Sequence, residues 1–131
     1  MIVVDTSALF AIVAHESEQV AFIEVLDSDK GIISAVTYVE TVMVLTGRSK
    51  RLAIARVDDL MRSFGLEIIA VDQTLARAAV DGFDRYGKGR HPAGLNICDC
   101  FAYGLAKARG FPLLFKGNDF SRTDIVPAWR P

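Results

Sequence analysis

Short apolar runs alternate with amphipathic stretches along the chain. The apolar runs are rich in β-branched residues, and they predict strands at residues 2–4, 31–34, 68–71 and 112–115, with a candidate fifth at 125–126. Apolar residues recur at helical spacing between these runs. They predict six helices. The second helix begins after Ser17, which we expect to cap it, and the other five lie at residues 6–14, 37–45, 49–64, 73–86 and 97–109. Short buried strands that alternate with helices indicate an α/β fold with a mostly parallel sheet covered on both faces.

Composition narrows the class of protein. The 131 residues fit one domain, residues 1–131, and a hydrophobic fraction of 51% argues against a disordered chain. No apolar run approaches the length that crosses a bilayer, and the first five residues do not resemble a signal peptide, so we expect a cytoplasmic protein with no membrane contact. Cys98 and Cys100 lack nearby further ligands for zinc, and we interpret them as small hydrophobic residues of a buried helix.

Four acidic residues occupy positions that this fold can bring together. Asp5 ends the first strand and Asp119 follows the fourth, so both lie at the carboxyl edge of the sheet, where ligands bind in such folds. Glu40 lies in the first turn of the helix that follows the second strand, and it faces the same edge. Asp99 lies in the first turn of the sixth helix, and it joins the group only if the preceding connection brings it there.

Converging carboxylates repel one another and raise one another's pKa. Divalent cations such as Mg²⁺ and Mn²⁺ remove that repulsion, because these ions prefer oxygen ligands. A carboxylate-bound Mg²⁺ lowers the pKa of a bound water and stabilises the leaving oxygen of a phosphodiester. The pattern therefore predicts metal-assisted hydrolysis without a protein nucleophile.

Each acid also has a purely structural interpretation. Glu40 stands three residues after Thr37, and Asp99 stands three residues after Asn96, which is the spacing of a capping box. Asp5 is a candidate N-cap of the first helix, and Asp119 is a candidate turn residue that follows Asn118 near Gly117. These roles explain each position singly, but they do not explain why the positions fall around one edge.

The acids lie within segments that resemble the PIN-domain ribonucleases, and specifically the VapC-type toxins of bacterial toxin–antitoxin pairs. The matching segments are residues 3–8, Glu40, residues 96–103 and residues 114–120. They span essentially the whole chain in the order found in the family. One departure is Cys98, where many relatives carry glycine; this position concerns packing more than metal binding.

The resemblance implies an α/β/α sandwich, dependence on Mg²⁺ or Mn²⁺, and endonuclease cleavage of RNA. It also implies a homodimer that is inhibited by a cognate VapB-type antitoxin. Carried over by motif, the expected catalytic and metal-binding acids are Asp5, Glu40, Asp99 and Asp119. The expected supporting residues are Thr6, Ser7 and Asn96, with Asp124 as a candidate further acid.

Local basic patches matter because the net charge is −1, so global electrostatics would not attract RNA. The first patch is a glycine-rich loop with Arg85, Lys88, Arg90 and His91. It is interpreted either as a set of phosphate contacts for RNA or as a solvated loop. The second patch has the same two interpretations and consists of Arg48, Lys50, Arg51 and Arg56.

Two other functional classes share part of the pattern. A phosphotransfer enzyme of the haloacid-dehalogenase kind also carries Asp after its first strand, but it needs a second Asp where this chain has Ser7. A receiver-like signalling module needs a phosphoacceptor Asp after a middle strand, which Asp72 provides, but it also needs paired acids after the first strand. Labelling by acetyl phosphate, compared with RNA cleavage in Mn²⁺, discriminates these classes from a nuclease.

Overall fold

The computed structural model describes residues 1–47 and 50–131, with the side chains of Lys50 and Arg51 outside that description. Of the second basic patch, Arg48 and these two side chains therefore lie outside the described part of the chain. Among the described residues, no helix has both the length and the apolar character needed to cross a membrane.

The described chain folds as an α/β structure around one parallel sheet. The strands are β1 (Ile2–Val4), β2 (Gly31–Ser34), β3 (Glu67–Ile69) and β4 (Leu113–Leu114). The helices are α1 (Thr6–Val13), α2 (Gln19–Ser28), α3 (Ala35–Thr46), α4 (Lys50–Ser63), α5 (Gln73–Tyr86) and α6 (Ile97–Arg109), followed by a short 3-10 helix (Phe120–Arg122). The strand order is β3-β2-β1-β4 and every neighbouring pair is parallel. The predicted fold class is confirmed.

Helices cover both faces of this sheet because successive strand residues point to opposite sides. Val3, Ile32 and Leu113 pack with the apolar residues of α5 and α6. Their neighbours Val4 and Ile33 pack with α1 and α2 on the other face. The strands are buried on both sides, which explains why they read as continuous apolar runs.

Two helix starts differ from the sequence prediction. Helix α3 begins at Ala35 rather than at residue 37, because the Ser34 hydroxyl at the end of β2 accepts a hydrogen bond from the Val36 N–H at 3.1 Å. Ser17 does not cap α2: the N-cap position is Glu18, and the Ser17 hydroxyl donates to that carboxylate instead. Ser34 ends the strand directly before the helix, so its hydroxyl is in position to cap the first turn.

The predicted fifth strand at 125–126 is wrong. The segment meets β4 only at an isolated bridge between Leu113 and Pro127. Pro127 has no N–H to continue a ladder, and β4 itself is only two residues long, so pairing stops there. The predicted caps of the later helices are confirmed at Asp72 and Asn96.

Candidate active site

An acidic pocket opens at the carboxyl edge of the sheet. Its volume is about 290 Å³, and its lining consists of Asp5, Thr6, Ser7, Phe10, Glu16, Glu40, Val44, Asp99 and Lys116. We call this cavity the acidic pocket. The structure therefore brings together three of the four predicted acids, and it places the predicted supporting residues Thr6 and Ser7 beside them.

Asp5 is both the N-cap of α1 and a wall of the acidic pocket. Its Oδ2 accepts hydrogen bonds from the Ser7 N–H at 3.0 Å and from the Ser7 hydroxyl at 2.6 Å. Ser7 in turn accepts from the Lys116 N–H at 2.9 Å, which links the end of β1 to the loop after β4. Burial raises the pKa of Asp5, and Glu40 raises it further, against the lowering effect of the Ser7 bonds.

Glu40 reaches the acidic pocket from α3. Its Oε1 accepts a hydrogen bond from the Thr6 hydroxyl on α1. Thr6 is held from the other side by the buried hydroxyl of Thr41, 3.3 Å away. The capping-box interpretation of Glu40 is wrong, because Thr37 lies inside α3 and the helix is capped by Ser34.

Asp99 both completes the capping box of α6 and lines the acidic pocket. Its N–H donates to Asn96 Oδ1 at 2.9 Å, and its Oδ2 accepts from the Asn96 N–H at 3.0 Å, so the capping box of α6 is complete. The first turn of α6 lies at the carboxyl edge, and Asp99 therefore also lines the acidic pocket. Burial raises the pKa of Asp99 to about 7, and the charges of Asp5, Glu40 and Asp119 add to that increase, against the Asn96 bond.

The remaining two acids lie at different places. Asp119 is an exposed residue that precedes the 3-10 helix; it does not line the acidic pocket, but its charge acts on Asp99. Asp124 lies near the other end of α6, where it accepts from the Tyr103 hydroxyl at 2.8 Å and from Lys107 at 2.9 Å. The structure does not bring Asp124 to the acidic pocket, which corrects its interpretation as a further acid of this site.

The donors of the acidic pocket fit a hydrated divalent cation. No three His, Cys, Asp or Glu side chains of the described residues are close enough to form a ready-made metal group. Mg²⁺ does not need one, because it usually binds through one or two carboxylates and keeps several waters. The bonds from Ser7 and Asn96 each occupy one carboxylate oxygen, on Asp5 and Asp99 respectively, which leaves the second oxygen of each acid as a ligand.

Lys116 is the basic residue in the lining of the acidic pocket, and it forms ion pairs with Glu16 and Glu18 rather than with Asp5, Glu40 or Asp99. The Lys116 ammonium lies 2.8 Å from Glu16 and 2.8 Å from Glu18, in the turn between α1 and α2. Hydrogen bonds to Glu16 and then to Glu18 raise the pKa of Lys116. Sequence reasoning did not find this ion-paired group, since its members are about a hundred residues apart along the chain.

Cys98 lies on α6 beside Glu40, in an apolar groove next to the acidic pocket. Burial raises the pKa of its thiol to about 12, and the neighbouring charge of Glu40 contributes to the increase. A protonated, partly buried thiol in an apolar groove packs as a small hydrophobic group. This agrees with the interpretation of Cys98 as a packing residue.

The predicted RNA-binding loop carries less free positive charge than its sequence suggests. Arg85 lies 3.3 Å from Asp81, and Arg90 lies 3.2 Å from Asp84, so both arginines pair with acids of α5. His91 Nδ1 accepts a hydrogen bond from the Ala93 N–H at 3.0 Å. Lys88 lines a groove next to the start of α6, and the described ion pairs do not include it.

Comparison with known proteins agrees with this fold. The family model described as "PIN domain" matches residues 2–126. The chain is 41% identical over 130 residues to Ribonuclease VapC30 of Mycobacterium tuberculosis, covering 98% of this chain and 99% of the relative. It is 42% identical over 128 residues to Ribonuclease VapC42 of the same organism, covering 96% and 98%.

Two solved structures share the fold. The structure of Mycobacterium tuberculosis VapC20, described as a sarcin-ricin loop cleaving toxin, has a TM-score of 0.78 at 19% identity and covers 100% of both chains. A structure of VapBC2 from Rickettsia felis, bound to a DNA fragment from its promoter, has a TM-score of 0.74 at 17% identity, covering 97% of this chain and 96% of that one. The chain belongs to the PIN-domain family, among the VapC-type ribonuclease toxins.

Proposed function

We propose that this protein is a Mg²⁺- or Mn²⁺-dependent endoribonuclease and the toxin of a toxin–antitoxin pair, carried by one domain of residues 1–131. The observation that carries the proposal is the convergence of Asp5, Glu40 and Asp99 on one pocket, with a raised pKa at Asp99. The ribonuclease names of relatives at 41% and 42% identity support it. RNA is the substrate that the acidic pocket would process.

In this mechanism one or two of the carboxylates of Asp5, Glu40 and Asp99 would bind the cation directly and the others through its waters. Asp119 would add negative charge nearby. When bound, the cation supplies an activated water and charge stabilisation for the leaving oxygen of a phosphodiester. Ser7 orients Asp5, and Asn96 orients Asp99. Outer residues of this kind fix ligand geometry and commonly change metal affinity or activity by about 10- to 100-fold when removed.

The geometry argues against the two phosphotransfer alternatives. An enzyme of the haloacid-dehalogenase kind needs a second Asp two residues after Asp5, and that position is Ser7, which donates its N–H and its hydroxyl to Asp5 Oδ2. Asp72, the candidate acceptor of a receiver module, is the N-cap of α5 and accepts from the Leu75 N–H at 2.8 Å. It does not line the acidic pocket.

The proposed antitoxin partner suits a groove beside the acidic pocket. This groove has a volume of about 590 Å³, and it includes the exposed apolar side chains of Val39, Met43 and Val44 on α3. Glu40 lies in its wall. An Arg or Lys of a VapB-type segment that covers the groove would reach the carboxylates and compete with the cation. Exposed apolar helix surface also supports the proposed homodimer, which light scattering would test.

The deciding experiment is cleavage of single-stranded RNA by the purified protein in Mn²⁺, in Mg²⁺ and in excess chelator. We expect cleavage with either metal and none with chelator. Asp5→Asn keeps the size of the side chain and should abolish cleavage. Parallel incubation with labelled acetyl phosphate should leave the protein unlabelled; labelling without RNA cleavage would replace the nuclease proposal by a phosphotransfer one.

A further inference from the structure

A second pocket adjoins the acidic pocket and shares Lys116 with it. Its volume is about 370 Å³, and its walls include Glu18, Phe115, Lys116, Trp129 and Arg130. We call it the tail pocket. The Lys116 ammonium contacts Glu16, which lines the acidic pocket, and Glu18, which lines the tail pocket. A ligand that occupies both pockets would therefore pass over Lys116.

The aromatic walls of the tail pocket are held in place by the core. Trp129 is partly exposed, and its ring meets Phe22 edge to face, with centroids 5.3 Å apart and an angle of 86°. The backbone just before it is fixed because the Ala128 N–H donates to the Leu113 carbonyl at 2.8 Å. Phe115 is held by Phe120, with ring centroids 5.3 Å apart. The pocket thus presents two rings whose positions are set before any ligand arrives.

The chemistry of these walls matches a nucleobase. Unpaired bases of RNA are bound by stacking on aromatic side chains or on Arg guanidinium groups, with hydrogen bonds to their polar edges. The tail pocket provides Trp129 and Phe115 for stacking and Arg130 as a cation. Its volume falls in the lower part of the range of small-molecule sites, about 300–1,000 Å³.

We propose that the tail pocket binds an unstacked nucleobase of the RNA strand whose phosphodiester lies in the acidic pocket. The proposal rests on the proposed function for the identity of the strand. It also accounts for how a protein with a net charge of −1 holds RNA although Arg85 and Arg90 are paired with acids. Stacking does not require a positive surface, so the affinity it provides is independent of the basic loop.

Trp129 is the single tryptophan of the chain, so emission excited at a wavelength that tyrosine does not absorb reports on this pocket. The experiment titrates the protein with a short single-stranded RNA of mixed sequence, with Ca²⁺ in place of Mg²⁺ to limit turnover. We expect quenching of Trp129 emission as a base stacks. An abasic ribose-phosphate oligomer of the same length and charge should bind more weakly and leave the emission unchanged. Equal affinity of the two oligomers would overturn the proposal.

Variants of Trp129 test whether the affinity for RNA comes from the tail pocket. Trp129→Ala should weaken RNA binding by about 5- to 150-fold, the range for losing one stacked base, whereas Trp129→Phe should retain most of the affinity. The matched control is Phe83→Ala, which removes an exposed ring of α5 beside the predicted RNA loop and should have little effect. If Phe83→Ala weakens binding and Trp129→Ala does not, bases are bound on the α5 side and the proposal is wrong.

The two proposals fail separately. If RNA quenches Trp129 emission but no metal-dependent cleavage occurs, the nuclease proposal is wrong and the base-binding proposal for the tail pocket is supported. Cleavage of normal and abasic strands at the same rate, without quenching, refutes the base pocket and leaves the nuclease. If thermal unfolding shows that Trp129→Ala is not folded, the comparison of normal and abasic RNA on the unmodified protein decides the question.

Discussion

The Thr6 hydroxyl of α1 donates a hydrogen bond to Oε1 of Glu40 on α3, across 34 residues of sequence. The bond fixes where the Glu40 carboxylate lies in the acidic pocket. Thr6 is buried, and it is itself held by the Thr41 hydroxyl. In the proposed mechanism Thr6 contacts neither metal nor RNA, but it sets the position of the Glu40 carboxylate, which would bind the cation.

Thr6→Val should reduce cleavage by about 10- to 100-fold, because Glu40 loses the hydroxyl that orients it. Thr6→Ser keeps the hydroxyl and should restore most of the rate. Thr46→Val is the matched control, since the Thr46 hydroxyl donates to its own helix, at the Val42 carbonyl, away from the acidic pocket. Steady-state cleavage rates measure all three. Equal loss in Thr6→Val and Thr46→Val would contradict a positioning role for Thr6.

Asp5→Ala should abolish cleavage, while Asp72→Ala should leave it intact. Both residues are N-caps whose side chains accept a backbone N–H, so each substitution should cost about 0.5–2 kcal/mol of stability. In Asp5→Ala this loss is offset in part by relief of the repulsion with Glu40. Thermal unfolding and cleavage assays, run on both variants, separate the cap from the chemistry. Full cleavage activity in Asp5→Ala would show that Asp5 takes no part in the mechanism.

Asp99 should make the metal-free protein less stable as the pH rises. Between the ordinary Asp value of 3.8 and about 7, the folded protein binds a proton at Asp99 that the unfolded chain has lost, so the free energy of unfolding falls with increasing pH and levels off above about 7. Asp99→Asn retains an oxygen for the Asn96 N–H but has no charge. The variant should therefore gain stability relative to the parent as pH rises.

The measurement is denaturant unfolding in chelator, from about pH 5 to about pH 8. Asp5 has its own raised pKa and its charge acts on Asp99, so the difference between the two curves reports the titration of the coupled pair. Adding Mg²⁺ should stabilise the parent more than Asp99→Asn, because the cation binds the charged carboxylate. Stability curves that stay parallel across the pH range would show that Asp99 does not titrate there.

Asp119→Asn and Asp124→Asn should differ in their effect on cleavage. Asp119 places negative charge near Asp99, where it would help to attract the cation, so we expect its neutralisation to lower the rate. Asp124 pairs with Tyr103 and Lys107 away from the acidic pocket, so its neutralisation should change stability modestly and leave the rate unchanged. Cleavage and thermal unfolding of the two variants test this. A comparable loss of rate in Asp124→Asn would return Asp124 to the site.

Removing the charge of Lys88 and removing the charge of Arg90 should weaken RNA binding to different extents. Lys88→Ala should weaken binding in Ca²⁺ and reduce the slope of log K against log salt by roughly one unit, the effect of one lost phosphate contact. Arg90→Ala should change the slope less, because Arg90 pairs with Asp84 and stacks on Phe83. Metal affinity should stay the same in both. An unchanged slope in Lys88→Ala would show that the loop does not contact phosphate.

The sequence alone determined the fold class and most of the local structure. Short continuous apolar runs and helical spacing located all four strands and six helices of the described chain to within a few residues. The caps at Asp5, Asp72 and Asn96 were also predictable, because a cap depends only on residues within one turn. Residue order along a parallel sheet further placed Asp5 and Glu40 at one edge, since carboxyl ends of parallel strands coincide.

Only the tertiary structure decided which further residues join that edge. Asp99 and Asp124 are both acids near α6, yet one lines the acidic pocket and the other pairs with Lys107. The ion-paired Lys116 and the pocket around Trp129 likewise arise from segments distant in sequence. Such contacts depend on how loops close over the sheet and on which side chains they bury together, and no local pattern of residues encodes that geometry.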